Sequence, residues 1–321
     1  MAPFSLSVVI PTHDTRELTL KCLDSLDAAW PAAPIDTLEV ILVDDASRDG
    51  TAEAVRSRHP GVAVLRHETA ERFTRAANAG LARARGEILL LLNSDTEVAP
   101  GGLARLVARF AEDPGLGIAG ALLHYPDGSP QWSGGRAPTL LWFFALATGL
   151  PALLSLLPFY RRARPLALTR PTAVDWVTGA AMAIRRQAWE AAGPLDEGFR
   201  FYAQDLDVCL RARRAGWRVE IDPGFPVLHH HGATIGRDPG ARDRRHLELL
   251  WSDLLRWARK HRGAAWGNRA AAVLRAGARL RLAARALHRP FLSPSRRAAW
   301  SADDGAVRRA LAAIRPCHPS P

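Results

Sequence analysis

Carboxylates of this 321-residue sequence that could do chemistry gather at three points: Asp44-Asp45, Asp95, and Asp205 with Asp207. Asp44 and Asp45 can accept hydrogen bonds from a pyrimidine ring or a ribose. The plainer reading of Asp44-Asp45-Ala46-Ser47-Arg48-Asp49-Gly50 is a turn that caps the following helix. Asp95, in Asn93-Ser94-Asp95-Thr96, can hold Mg2+ or Mn2+ through one carboxylate, with phosphate oxygens and waters around the rest of the ion. Such a cation stabilises a departing diphosphate; the plainer reading is a turn or helix cap. Asp205 and Asp207 open a predicted helix, whose positive end favours ionised carboxylates and leaves Asp205 ready to take a proton from a hydroxyl at neutral pH. Capping is the rival role, for Asp207 above all. In His229-His230-His231 one imidazole can complete a metal shell or meet a phosphate, and His229 is the candidate. Adjacent strand residues alternate faces, so at most two of the three share one.

These groups need a frame. Residues 5–11, 38–43, 62–66 and 87–92 read as buried strands, and they alternate with helices marked by the Leu18, Cys22, Leu23, Leu26 face, by residues 51–58 and by residues 75–85. Asp14 and Glu17 have the spacing of a capping box, and Gly86 stands where a C-cap would. Repeated β-α units build a mostly parallel sheet with helices on its faces, and the most apolar run, 87–92, belongs at its centre. Residues 11–14, 44–49 and 93–96 then lie at the carboxyl ends of strands, where open α/β sheets bind ligands. Further on, Leu103, Leu106, Val107 and Phe110 mark a helix; 118–125, 174–184, 218–221 and 226–231 read as strands, and 187–192 and 205–215 as helices. From about Arg242 the chain reads as basic helices.

The net charge of +11 is uneven: residues 237–321 carry 19 Arg and Lys against 6 Asp and Glu, whereas 1–236 carry 24 against 26. A basic tail suits an anionic partner, either phospholipid headgroups or nucleic acid. Few aromatic residues interleave with its arginines, which disfavours nucleic acid. Val273, Gly277, Leu280, Ala284 and Leu287 share a helical stripe away from Arg275, Arg279, Arg285 and Arg289, consistent with an interfacial helix or, because the stripe is only weakly apolar, with one packed on the catalytic domain. Residues 139–160 are uncharged, but Gly149-Leu150-Pro151 and Pro158 break them into pieces too short to span a hydrocarbon core of about 30 Å. An interfacial element or a wall of the acceptor-binding half is expected there. Three scattered cysteines and the lack of a basic segment ahead of a long apolar one predict a cytoplasmic protein, peripheral at most on the inner face of the cytoplasmic membrane.

The ordered set Ser7-Val8-Val9-Ile10-Pro11-Thr12, Val43-Asp44-Asp45-Ala46-Ser47-Arg48-Asp49-Gly50-Thr51, Asn78-Ala79-Gly80, Leu92-Asn93-Ser94-Asp95-Thr96, Gly179-Ala180-Ala181-Met182, Leu195-Asp196-Glu197-Gly198-Phe199 and Gln204-Asp205-Leu206-Asp207-Val208-Cys209-Leu210-Arg211 resembles the family 2 glycosyltransferases. In particular it is similar to the branch that contains bacterial rhamnosyltransferases, over about residues 5–235. The resemblance implies a GT-A fold: a catalytic domain over 1–235, with a Rossmann-like nucleotide-sugar-binding half (1–125) and an acceptor-binding half (126–235), before a basic helical segment (236–321). It also implies a nucleotide-sugar donor such as dTDP-rhamnose, a divalent cation, inversion by direct displacement, and a glycan or lipid-linked acceptor of cell-envelope polysaccharide synthesis. By position, Pro11, His13, Asp45 and Arg72, with Ser94, match donor contacts; Asp95 matches the metal-binding end of D-x-D, and Asp205 the base. Three residues depart from the pattern. His13-Asp14 stands for Tyr-Asn, Asn93 replaces the first carboxylate of D-x-D, and Gln204 replaces the Glu beside the base, where an amide cannot share charge with Asp205. Those departures make a non-catalytic nucleotide-sugar-binding or partner-binding member of the fold the alternative expectation.

Overall fold

The computed structural model describes residues 4–30, 35–149, 168–230 and 247–314. They form two compact units, one of 4–30, 35–136, 168–198 and 204–230, the other of 137–149, 199–203 and 247–314.

In the first unit β1 (Phe4–Thr12), α1 (Arg16–Ala29), β2 (Ile35–Asp44), α2 (Thr51–Arg58), β3 (Ala63–Arg66), α3 (Phe73–Arg83) and β4 (Ile88–Leu92) alternate along the chain. β5 (Thr96–Val98), α4 (Gly102–Glu112), β6 (Leu116–His124) and β7 (Gly134–Gly135) follow, then α5 (Leu140–Thr148), which belongs to the second unit. The first unit resumes with β8 (Thr172–Ala173), β9 (Trp176–Val177), β10 (Ala181–Arg185), α6 (Arg186–Ala192), α7 (Gln204–Arg214) and β11 (Arg218–His229). The sheet order is β3-β2-β1-β4-β10-β6-β11-β5, with β8 on β11. The first four strands are parallel, β10 runs antiparallel between β4 and β6, and β11 is parallel to β6.

Period-two apolar alternation gives the sheet two buried faces. Val8, Ile10, Leu42, Leu90 and Leu92 pack with α1 and α4, while Val9, Ile41, Val43, Leu89 and Leu91 pack with α3 and α7. β4 is central and wholly buried, as its composition predicts. α3 lies so close to β1 and β2 that a Cβ on Gly80 would fall 2.3 Å from Val9 Cγ1 and 2.9 Å from Val43 Cγ2.

Four local expectations are corrected. Asp14 and Glu17 form no capping box: Thr15 is the N-cap, Asp14 adopts a positive φ of 51°, and its carboxylate accepts the Arg48 amide instead. Gly86 is not a helix cap, since α3 ends on Ala84. Its role is close approach, because its amide donates to Ser7 Oγ at 2.7 Å and a Cβ would meet the Ser7 backbone. The run 174–184 is not one strand: a turn at Thr178-Gly179-Ala180 separates β9 from β10. Conversely, 218–221 and 226–231 belong largely to the single strand β11, which carries a bulge between Asp222 and Pro226; His231 lies outside the described residues.

The second unit is helical: α5, α8 (Leu247–Arg262), α9 (Ala264–His288), a 3-10 turn (Arg289–Phe291) and α10 (Pro294–Ala313). Phe143 of α5 and Trp257 of α8 pack edge-on against Trp266 of α9. Asp253 of α8 accepts the amides of Arg200, Phe201 and Tyr202 at 3.2, 3.0 and 2.9 Å, which fastens residues 199–203 to this unit. Arg285 is turned inward to Asp303 and Asp304 of α10, not outward with the exposed arginines. Of residues 139–160, the part up to Gly149 is α5 with its C-cap, Phe143, Ala145 and Ala147 buried; the rest lies outside the described residues. Among the described residues no helix is long and apolar enough to cross a membrane.

Gly80→Val forces overpacking between α3 and β1, and overpacking of this kind costs on the order of 1–3 kcal/mol. A lowered midpoint in urea unfolding at unchanged slope is expected.

Candidate active site

The carboxyl ends of β1, β2 and β3 surround a cavity of about 550 Å3 lined by His13, Asp14, Ser47, Arg48, Arg66 and residues 67–70. Its walls are held by carboxylates. Asp45 Oδ1 accepts from His67 Nδ1 and the Glu71 amide, each at 2.8 Å, and Oδ2 accepts the Arg72 amide at 2.9 Å. Asp45 thereby anchors the loop 67–72. Asp44 is fully buried, and its Oδ1 accepts the Ser47 amide in a local turn. His13 stands at the rim with Nδ1 2.6 Å from the Asp45 carbonyl. Asp14, Ala46 and Arg72 adopt φ of 51°, 61° and 78°, a region that costs residues with side chains roughly 1–3 kcal/mol each and that clusters at ligand sites.

Asp95 follows β4 and is buried. Its Oδ1 lies 3.3 Å from Nε2 of His229, which is also buried. Gln131 determines which face the imidazole shows. Its Nε2 donates to the His229 carbonyl at 2.7 Å, so the amide oxygen is the atom 2.9 Å from His229 Nδ1. An amide oxygen can only accept, hence Nδ1 carries a proton and Nε2 is the ring nitrogen turned toward Asp95. A carboxylate oxygen and an imidazole nitrogen side by side, with the imidazole oriented from behind, suit Mn2+ or another divalent cation. Among the described residues no third carboxylate, histidine or cysteine gathers with them. His230 turns away to Glu97, 2.7 Å from its Oε1.

Asp205, in the first turn of α7, accepts the Leu206 amide at 2.8 Å and the Gly179 amide at 3.1 Å. Burial pushes its carboxyl above the ordinary carboxylate value, against the lowering effect of those two amides. The helix terminus therefore does not dominate as the sequence suggested. Asp207 is fully buried and pairs with Arg211 at 2.9 Å, a structural role. The turn that grips Asp205 is fixed to the turn that carries Asp95, because the Asn93 amide donates to the Ala180 carbonyl at 2.9 Å.

Along one edge of the sheet thus lie, in order, a cavity at β3, β2 and β1, an acidic group beside an imidazole after β4, and a carboxylate at the turn before β10. Residues 7–188 match the family model described as glycosyl transferase family 2. The chain belongs to that family. A rhamnosyltransferase of Mycobacterium tuberculosis, N-acetylglucosaminyl-diphospho-decaprenol L-rhamnosyltransferase, is 32% identical over 224 residues, which make up 64% of this chain and 70% of that protein. Among solved structures, mannosyltransferase PcManGT from Pyrobaculum calidifontis in complex with GDP-Man and Mn2+ superposes with a TM-score of 0.60 at 17% identity, covering 97% of this chain and 86% of that one. GalNAc-T7 with UDP, GalNAc and Mn2+ gives 0.53 at 20%, covering 80% of this chain and 51% of that one. At these identities the likeness is one of fold, and the fold is GT-A.

Within this family 2 chain the residues singled out from the sequence are distributed as follows. His13 lines the cavity, Asp45 does not but anchors the loop that does, in part through the Arg72 amide, and Arg72 itself is exposed. Pro11 is buried in β1 opposite Val43. Ser94 is buried too, its hydroxyl 2.9 Å from Thr15 Oγ1, which in turn meets Thr12 and Thr19. Sequence reasoning passed over Gln131 and the Gly179 amide. A single Gln in a loop carries no signature, and Gly179 is visible only as a family motif residue whose amide role depends on the turn.

A raised carboxyl pKa means that the folded chain binds the proton more tightly than the unfolded chain, so Asp205 lowers stability progressively as pH rises from its ordinary 3.8 through the folded value. Asp205→Asn is therefore expected to gain stability relative to wild type as pH rises from 3 to 7. Urea melts of both proteins across that range check the sign.

Proposed function

We propose that this chain is an inverting sugar transferase that moves a sugar, rhamnose from its dTDP ester being the leading donor, onto a hydroxyl of a lipid-linked glycan. The observation that carries this reading is the Asn93–Ala180 hydrogen bond, which sets the turn gripping Asp205 beside the turn bearing Asp95. The substrate in the name of the mycobacterial relative supports a lipid-linked acceptor, and by extension action at the inner face of the cytoplasmic membrane.

In this reading the cavity lined by His13 and the 67–70 loop takes the nucleoside, and Asp45 keeps that loop in shape. Asp95 and His229 would hold a divalent cation, which supplies neutralisation of charge on the leaving diphosphate. Asp205 accepts the acceptor's O–H proton as that oxygen forms its bond to the anomeric carbon on the face opposite the phosphate. The anomeric C–O bond breaks, its electron pair leaves with the diphosphate, and the configuration inverts. Each carboxylate oxygen of Asp205 is steadied by one amide and retains a lone pair for the proton. Its raised proton affinity makes it a stronger base.

Replacing Asp205 by Asn should lower turnover on the order of 100- to 10,000-fold while donor binding persists. In wild type the acid limb of kcat should fall above the range of an ordinary aspartate, because the base is lost once it is protonated. Near-normal transfer by Asp205→Asn, with released nucleoside diphosphate measured against acceptor glycosylation, would remove the assignment. Saturable donor binding without any transfer would instead favour a non-catalytic binding member of the fold.

A further inference from the structure

The basic helical unit has an outer face that its own packing leaves uncovered. As far as Ala278, α9 is buried through Ala270, Ala271, Leu274, Gly277 and Ala278, and Gly277 lies so near α5 that a Cβ would come within 2.8 Å of Ala147. Toward its end, Arg281 and Arg285 turn inward to Asp303 and Asp304, with Arg285 also 4.8 Å from the Trp300 ring centre. What remains outside is apolar: Leu280, Leu287 and Phe291 are 54%, 75% and 86% exposed, and Ala284 is exposed between them. Spacings of four, three and four residues put all four on one side of the helix and its 3-10 extension. This is not the stripe expected from the sequence, since Gly277 faces α5.

The charge around the stripe identifies its occupant. Residues 254–302 contain twelve Arg and Lys and no Asp or Glu. Arg279, Arg289, Arg296 and Arg297 are exposed near the stripe in the chain. A second copy of this chain would bring like charges together, and a nucleic acid would leave aliphatic side chains in water. An anionic bilayer satisfies both features, with aliphatic and Phe side chains at the acyl boundary and guanidinium groups among the phosphates.

We propose that Leu280, Ala284, Leu287 and Phe291 form a docking face that seats the end of α9 in the interfacial plane of an anionic membrane. This deepens the proposed function and rests on that reading for its lipid-linked acceptor. The test is flotation of the full-length chain with vesicles of phosphatidylcholine alone or with phosphatidylglycerol, with no donor or acceptor present, so failure here leaves the transfer reading untouched. Wild type should float with the anionic vesicles, less so with neutral ones, and more weakly as salt rises. The triple variant Leu280→Ser, Leu287→Ser, Phe291→Ser should lose at least tenfold in vesicle partitioning with an unchanged circular dichroism melt, these side chains being exposed. Arg279→Gln, Arg289→Gln, Arg296→Gln, Arg297→Gln should keep residual binding but lose the salt dependence. No flotation of wild type, equal flotation of the triple variant, or a dimer in solution that the triple variant abolishes would each overturn the proposal.

Discussion

The antiparallel pairing of β10 with β4 is the constraint on which the rest depends. Leu92 lies opposite Ala181, and one residue beyond, the Asn93 amide reaches the Ala180 carbonyl. A parallel strand would leave the β4 edge by a crossover and place its own N-terminus at the far end of the sheet. Because β10 runs the other way, the turn before it lies at the carboxyl end of β4, and that turn donates the Gly179 amide to Asp205. Two loops whose bonded residues, Asn93 and Ala180, are 87 positions apart are thereby held together through the backbone.

Around this junction side-chain hydrogen bonds hold the neighbouring groups. Gln131 fixes the His229 ring from behind, Thr15 ties Ser94, and Asp45 holds three donors of the loop beneath the cavity. Burial makes Asp205 a better proton acceptor and a less favourable native carboxylate at once. The backbone strain at Asp14, Ala46 and Arg72 belongs to the same pattern, in which a working site is stabilised by the apolar sheet beneath it and not by its own contacts.

The frame was legible because β1 to β4 and their helices follow simple periodicities, and the most apolar run is the central strand. What failed were places where tertiary contacts outweigh local signals. Asp14-Glu17 has capping spacing, but Asp14 finds the Arg48 amide, and Gly86 has a cap's position, but its bare Cα meets Ser7. The 174–184 run is mostly apolar, Asp175 and Thr178 apart, and only the glycine itself marks the turn at Gly179. Asp205 and Asp95 stood out through family order; the direction of the Asp205 shift did not, since burial is not written in its neighbours. Gln131, 98 residues from His229, had no local signal at all.

The most direct measurement is a crystal structure with Mn2+ and a nucleoside-diphosphate sugar, read by anomalous scattering. The expected result is one manganese peak between Asp95 Oδ1 and His229 Nε2, the nucleoside over residues 67–70, and the anomeric carbon facing the Asp205 carboxylate. A peak bound elsewhere, or a sugar turned away from Asp205, contradicts the shared cleft.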